Sequence, residues 1–155
     1  MNKEYILQYI RSITTVFDRM VGVQVQPQAP SIRVAEIPPH TVSAVIGMSG
    51  DVIGSVVLSM PVETATGIVG AFMGIDGSEL EIEEISDAVG ELVNMIAGSA
   101  KAEFKDKVIS ISTPTIVVGD CFKVYTPRNV PIVEIPCDSE MGPFTVDVVI
   151  KEEGN

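Results

Sequence analysis

Apolar residues near the start of the chain recur every three or four positions, which is the spacing of one face of an amphipathic helix. Gly22, a residue type that commonly ends helices, follows this run. The pattern therefore predicts a first helix over 3–21. Its apolar face consists of Ile6, Ile10, Ile13, Phe17 and Met20.

Two further segments have helical character. Pro61 suits the first turn of a helix and predicts a short helix to about Met73, with its cap near Ser59 or Met60. The longest predicted helix covers 82–105. Acidic residues at its start and lysines towards its end match the polarity of the helix dipole.

The other patterned segments predict β-structure. A β-rich stretch over 41–60 contains a turn sequence at 49–51, which predicts a hairpin. The last stretch, 143–151, alternates apolar and polar residues, as a half-buried strand does. The remaining predicted strands cover 108–118, interrupted at Pro114, then 122–126 and 129–136.

Composition limits the classes of protein that this chain could be. Its 155 residues, 46% apolar and 20% charged, predict one globular domain spanning 1–155. A net charge of −11 argues against nucleic acid, because phosphates would be repelled. The apolar runs are too short to span a bilayer and the N-terminus does not resemble a signal peptide, so we expect no membrane and a cytoplasmic location.

The inventory of reactive side chains is small. Cys121 and Cys137 do not form a disulfide framework and are expected to be free buried thiols. His40 is the only histidine, so neither a Cys/His metal cluster nor a His-based triad can be assembled. No phosphate-binding glycine motif is present either. We therefore expect no cofactor in this chain.

The long predicted helix has a narrow polar face. Asp87, Glu91 and Asn94 stand at i, i+4 and i+7, which places them at about 0°, 40° and −20° around the helix axis. An asparagine within a helix is notable because its amide competes with the backbone for hydrogen bonds. The apolar residues Ile85, Val89, Leu92 and Ile96 occupy the opposite side.

Two glycines flank Glu91 and Asn94. Gly90 and Gly98 each cost the helix about 1 kcal/mol relative to alanine. A cost without local gain is typical of functional sites, and we expect the glycines to leave room for a partner surface. Glu91 and Asn94 could then present a carboxylate and a carboxamide side by side.

This polar face has three other possible interpretations. The simplest is an ordinary solvated stripe. A glycosidase pair of Asp87 and Glu91 is disfavoured because the chain has no Trp that could bind a sugar. A metal site would need ligands beyond these two carboxylates.

The chain also contains a faint internal repeat. Residues 17–22 resemble residues 93–98, and each helix leads into a proline-punctuated segment and then hairpin material. In this alignment the first copy has other residues where the second has Asp87, Glu91 and Asn94. The aligned residues of the first copy are Arg11, Thr15 and Asp18.

The sequence Asp87-x3-Glu91-x2-Asn94, continued by residues 95–98 and later by Pro114, resembles the signature of the CheC/CheX/FliY family of chemotaxis phosphatases. With a single site, the chain is most similar to the CheX branch. One departure is that the 19 residues between Asn94 and Pro114 are fewer than in the family pattern, so the role of Pro114 is left open.

The resemblance implies an α/β fold with about three helices on a mixed or antiparallel six-stranded sheet and a pseudo-two-fold internal repeat. It implies a phosphatase that hydrolyses the aspartyl phosphate of a CheY-type response regulator. Asn94 would position the attacking water and Glu91 would pair with a lysine of the regulator.

Partners and alternatives follow from the same resemblance. Asp87, Gly90, Gly98 and Lys101 are expected at the interface with the regulator. Mg²⁺ would be supplied by the regulator, and a homodimer through sheet edges is expected. The alternative is a non-catalytic module that binds a receiver domain or a flagellar switch component.

Overall fold

The computed structural model describes residues 3–33, 38–120, 122–124, 126–127 and 129–152. Three α-helices lie within these ranges: α1 (Lys3–Val16), α2 (Val62–Met73) and α3 (Ile82–Ala102). The strands are β1 (Val25–Pro27), β2 (Ser31–Arg33), β3 (Val42–Gly50), β4 (Val52–Met60), β5 (Ile109–Ile111), β6 (Thr115–Val118), β7 (Ile132–Ser139) and β8 (Phe144–Glu152).

The eight strands form one antiparallel sheet that is six positions wide. The order is β1-β7-β8-β4-β3-β5, with β2 also paired to β7 and β6 also paired to β3. Each edge position is therefore shared by two short segments. The expected α/β fold is confirmed, and its six-stranded width corresponds to eight separate segments because both edge strands are interrupted.

The two halves of the chain exchange their edge strands. After α1, β1 and β2 pair with β7, which belongs to the second hairpin. After α3, β5 and β6 pair with β3, which belongs to the first hairpin. The long β4–β8 pairing joins the hairpins at the centre. The faint repeat in the sequence thus corresponds to a pseudo-two-fold arrangement of the fold.

The predicted helices are present, with changes at their ends. After α1 the chain continues in a wider turn over Phe17–Val21, and Gly22, at φ 77°, donates its N–H to the Phe17 carbonyl at 2.8 Å. The residue before α2 is Pro61, so the predicted cap at Ser59 or Met60 is wrong. Helix α3 ends at Ala102, short of the predicted position 105.

The predicted strands differ in accuracy. The hairpin over 41–60 and the interruption at Pro114 are confirmed. Residues 122–124 and 126 form no strand, so the strand predicted over 122–126 is wrong for the described positions. Strand β7 begins at Ile132 rather than at residue 129. Strands β1 and β2 were not predicted, because prolines punctuate the segment before β3. Each of these strands is three residues long.

The main core lies between the helices and one face of the sheet. Helix α1 packs against α3, where the rings of Tyr5 and Phe104 lie with their centroids 4.6 Å apart. Further along, Phe17 stacks on Phe144 of β8 at 4.9 Å. Within the described ranges, no helix is long and apolar enough to cross a membrane.

The opposite face of the sheet holds a buried ion cluster. Arg33 at the end of β2 pairs with Asp147 of β8, and its Nε lies 3.2 Å from a carboxylate oxygen of Glu134 on β7. Asp147 is 2% exposed. Burial raises the pKa of Asp147 to about 6, and the Glu134 charge adds to the rise, while the Arg33 guanidinium opposes it. His40 also interacts with Glu134 in this region.

We predict that Asp147 makes stability fall as pH rises from about 4 to about 6. Over this range the folded carboxyl holds a proton that the unfolded one, with a pKa of about 3.9, has lost. The contribution is present below the unfolded pKa and disappears above the folded one. Urea unfolding from pH 4 to 7.5 should show that wild type loses about 2 kcal/mol relative to Asp147→Asn.

The exposed Asp138 on β7 provides the control for this measurement. Asp138→Asn should keep the wild-type pH profile. Parallel profiles for wild type and Asp147→Asn would contradict the assignment.

Candidate functional site

Helix α3 is held in place by a continuous apolar stripe. The four residues predicted on its inner side are buried, with Val89, Leu92 and Ile96 fully so. At the first turn, the Glu84 carboxylate accepts the backbone N–H of Glu81 at 3.3 Å, which satisfies a free donor of the helix end. The stripe packs over β3, β4 and β6. The outer face of α3 is thereby fixed relative to the sheet.

Gly90 allows α3 to approach the sheet edge closely. A Cβ atom built on Gly90 would lie 2.6 Å from Cδ1 of Ile116 and 3.4 Å from Cγ of Pro114. Gly90 is buried, so the expectation that it clears space for a partner is wrong. The space that a side chain would need is occupied by Ile116 of β6 and by Pro114, which precedes β6. This packing also gives Pro114 a structural role.

The three polar residues predicted as a site do share the outer face of α3. Asp87 and Glu91 are exposed and Asn94 is half-buried, one turn beyond Gly90. Among the described residues, neither the Glu91 carboxylate nor the Asn94 amide has a hydrogen-bond partner. Both groups are therefore available to an external ligand.

Gly98 and Lys101 extend this face towards the C-terminus of α3. Both are half-buried, and a Cβ built on Gly98 would meet no heavy atom within 4 Å. The surface at Gly98 is open, as expected for clearance. Lys101 follows Asn94 by seven residues and so lies on the same side of the helix.

The corresponding face of α1 is also exposed. Arg11, Thr15 and Asp18 are all accessible, in the positions that align with Asp87, Glu91 and Asn94. The aligned positions are therefore accessible in both halves, although Asp18 lies in the wider turn after α1, and only α3 carries the carboxylate and amide side by side. The repeat supplies an internal comparison for the site.

The reactive side chains elsewhere among the described residues do not form a second centre. The described parts of the chain contain no group of three or more His, Cys, Asp or Glu placed to hold a metal ion. Cys137 is a free buried thiol, as predicted, and burial raises its pKa to about 12. Cys121 lies outside the described residues. His40 is half-buried, and its backbone N–H donates to Ser59.

Sequence reasoning missed Ile116 and misassigned Gly90. A glycine within a helix signals either open space or close packing, and the pattern along α3 does not distinguish the two. The signal that could have helped is the apolar character of 115–118, a strand that had to pack against something. The contact between these segments is a tertiary one.

The chain is similar to known proteins in both sequence and fold. The family model described as chemotaxis phosphatase CheX matches residues 42–138. The CheY-P phosphatase CheX of Thermotoga maritima is 34% identical over 129 residues, which cover 80% of this chain and 81% of that protein. The matched range of this chain includes Glu91 and Asn94.

Solved structures share the fold over nearly the whole chain. The chemotaxis protein CheX from Desulfovibrio desulfuricans superposes with a TM-score of 0.84 and 28% identity, covering 96% of this chain and 99% of that one. The CheX–CheY–BeF3–Mg²⁺ complex from Borrelia burgdorferi superposes with a TM-score of 0.79 at 22% identity, covering 96% and 98%. At 22% identity, the match to this complex shows that the fold is shared and no more.

We predict that alanine at the two glycines of α3 has different effects on stability. Both substitutions gain the same helix propensity, about 1 kcal/mol. Gly98→Ala should keep that gain because its Cβ enters open space. Gly90→Ala should be less stable than Gly98→Ala by about 1 kcal/mol, because the end of the Ile116 side chain must move.

Urea denaturation of the two variants measures this difference directly, since propensity cancels between them. Gly90→Ser provides a second overpacked variant at the same position. Equal stability of Gly90→Ala and Gly98→Ala would show that α3 and β6 are not in close contact at Gly90.

Proposed function

Because the chain belongs to the CheX family of chemotaxis phosphatases, we propose that it hydrolyses the aspartyl phosphate of a CheY-type response regulator. The T. maritima relative, the CheY-P phosphatase CheX, supports this reaction. The observation that carries the proposal is the pair Glu91 and Asn94 on one accessible face, with no hydrogen-bond partners among the described residues.

Asn94 is proposed to orient the attacking water. Its carboxamide has both an acceptor oxygen and donor N–H groups, so it can fix a water by two hydrogen bonds. The group is neutral and adds no negative charge beside a phosphate. Phosphoryl transfer depends mainly on positioning and charge stabilisation, which an inserted amide can improve. The open surface at Gly98 supports the close approach that this role requires.

Glu91 is proposed to anchor the regulator through a lysine. It stands three residues before Asn94, about 4.5 Å along the helix axis, so both side chains can contact one partner at once. Asp87 lies one turn earlier on the same exposed side and would add to the attraction. The anchor fixes how far Asn94 enters the partner's site.

The remaining requirements of the reaction are assigned to the partner and the cell. We propose that Mg²⁺ arrives with the regulator and neutralises charge on the phosphoryl group there. A chemotaxis regulator as substrate supports a cytoplasmic location for this chain. All described strands share one sheet, which supports a single functional domain over 1–155.

A homodimer through a sheet edge is also proposed, with β6 as the pairing strand. Gly119 donates its N–H to Thr41 at 2.9 Å, and antiparallel pairs alternate in hydrogen bonding, so the Val118 N–H points away from β3. Val118 is 50% exposed and Val108, near the same edge, is 77% exposed. An edge with free donors and apolar side chains favours pairing with another strand.

We predict that Asn94→Ala lowers kcat for regulator dephosphorylation by about 100-fold or more, because the water loses its positioning. The loss of phosphate from a phosphorylated CheY-type regulator measures it, with the melting temperature as a check on folding. Asp18→Ala, the aligned change in the turn after α1, should leave the rate unchanged. Full activity in Asn94→Ala would overturn the mechanism.

The same assay distinguishes the phosphatase from a binding module. If the wild-type chain binds the phosphorylated regulator without accelerating the loss of phosphate, the chain is a non-catalytic binding module. Testing the receiver domains of the host organism in parallel identifies which regulator is the substrate.

We predict that Glu91→Ala weakens the complex with the regulator by roughly tenfold, about 1.4 kcal/mol, while the bound state still reacts. Isothermal titration with the regulator loaded with beryllofluoride gives the Kd. Thr15→Ala, at the aligned position on α1, is the control and should bind as wild type does. An unchanged Kd for Glu91→Ala would remove the anchor role.

We predict that Val118→Pro yields a monomer, since proline removes the outward N–H while the inward bonds of β6 remain. Light scattering after size-exclusion chromatography measures the mass. Val118→Thr keeps the N–H and the shape of the side chain, and it should stay dimeric. A dimeric Val118→Pro would move the interface to another surface.

A further inference from the structure

The outer face of α3 has a strongly uneven charge distribution. Its N-terminal half carries four exposed carboxylates, and no charged residue follows Glu91 until Lys101. Lys101 is the only basic residue of the helix. Asn94 therefore lies between an acidic half and a single cation. The exposed carboxylates are Glu83, Glu84, Asp87 and Glu91.

The geometry of the helix directs Lys101 towards Asn94. Lys101 is seven positions after Asn94, so the two Cα atoms are about 10.5 Å apart along the axis and about 20° apart around it. Side chains on a helix lean towards its N-terminus, and the four-carbon stem of lysine covers about half of that distance. Gly98 lies on the path and puts no side chain in the way.

The ammonium group of Lys101 is available for an external partner. The residue is half-buried, so part of its stem is packed, and it forms no ion pair with any residue that the structure describes. The ion pairs found among those residues belong to Arg33, on the other side of the sheet. Its charge compensates the dipole of α3 and, with no ion-pair partner among the described residues, can also bind an external anion.

We propose that Lys101 contacts the phosphoryl end of the docked regulator and makes the site selective for the phosphorylated form. This inference rests on the proposed phosphatase function. The acidic half of α3 faces the cationic group that Glu91 binds, and Lys101 faces the anionic phosphoryl group beyond Asn94. In the reverse docking orientation, the phosphoryl group would meet the four carboxylates, which is unfavourable.

Lys101 is thus a specificity-determining residue, and three variants test it. Lys101→Gln removes the charge, Lys101→Arg keeps it, and Lys105→Gln makes the same change in net charge elsewhere. Lys105 is exposed and lines a cavity with Glu4 and Tyr5 of α1, away from the outer face of α3. Steady-state dephosphorylation at low ionic strength gives kcat and KM for each.

Lys101→Gln should raise KM for the phosphorylated regulator by about two- to fivefold, with kcat nearly unchanged. Lys101→Arg should restore the wild-type KM, and Lys105→Gln should stay near it. In titrations, Lys101→Gln should lose affinity for the beryllofluoride-loaded regulator and keep its affinity for the unloaded one. The wild-type preference for the loaded form should therefore shrink by the same factor.

Equal KM values for Lys101→Gln and Lys105→Gln would overturn the inference, as would an equal loss of affinity for both forms of the regulator. Failure of Lys101→Arg to restore KM would also overturn it. These outcomes differ from failure of the proposed function, in which the wild-type chain itself does not accelerate the loss of phosphate.

Discussion

The reciprocal exchange of edge strands between the two halves is the constraint on which this structure depends. Each half contributes a hairpin, but the short strands that cover the outer side of that hairpin come from the other half. Neither half can complete its part of the sheet alone. Because β5 and β6 must follow α3 and also pair with β3, the chain forces α3 to lie over the first hairpin.

One contact allows α3 to lie close to the sheet edge. Pro114 and Ile116 come from the interrupted edge strand, and they occupy the place where Gly90 has no side chain. The helix can therefore lie close to the strand edge, with Asn94 one turn beyond the contact. Gly90 allows close packing against the strand edge, and Gly98 leaves the surface of α3 open. Packing and access are thus divided between two residues of the same type.

The two sides of the sheet differ in what they contribute. The helical side holds the main core and presents the site at its outer surface. The other side holds the Arg33–Asp147 pair, with Glu134 next to it, linking β2 to β7 and β8. A buried pair of this kind often adds little net stability, and in some proteins it helps to select one arrangement of the chain. We suggest that it fixes the short strand β2 in place, since β2 alone offers few backbone bonds.

The sequence by itself determined the three helices, the first hairpin and the outward face of α3, because these follow from the local period of apolar residues. It also determined the Asp87, Glu91 and Asn94 spacing that carries the family resemblance. Only the tertiary structure decided that Gly90 is packed, that Pro114 supports α3, and that β1 and β2 are strands at all. The physical reason is that residues distant in the chain decide both features. A three-residue strand forms only when it pairs with another strand, and a glycine within a helix is packed or open according to what lies against it.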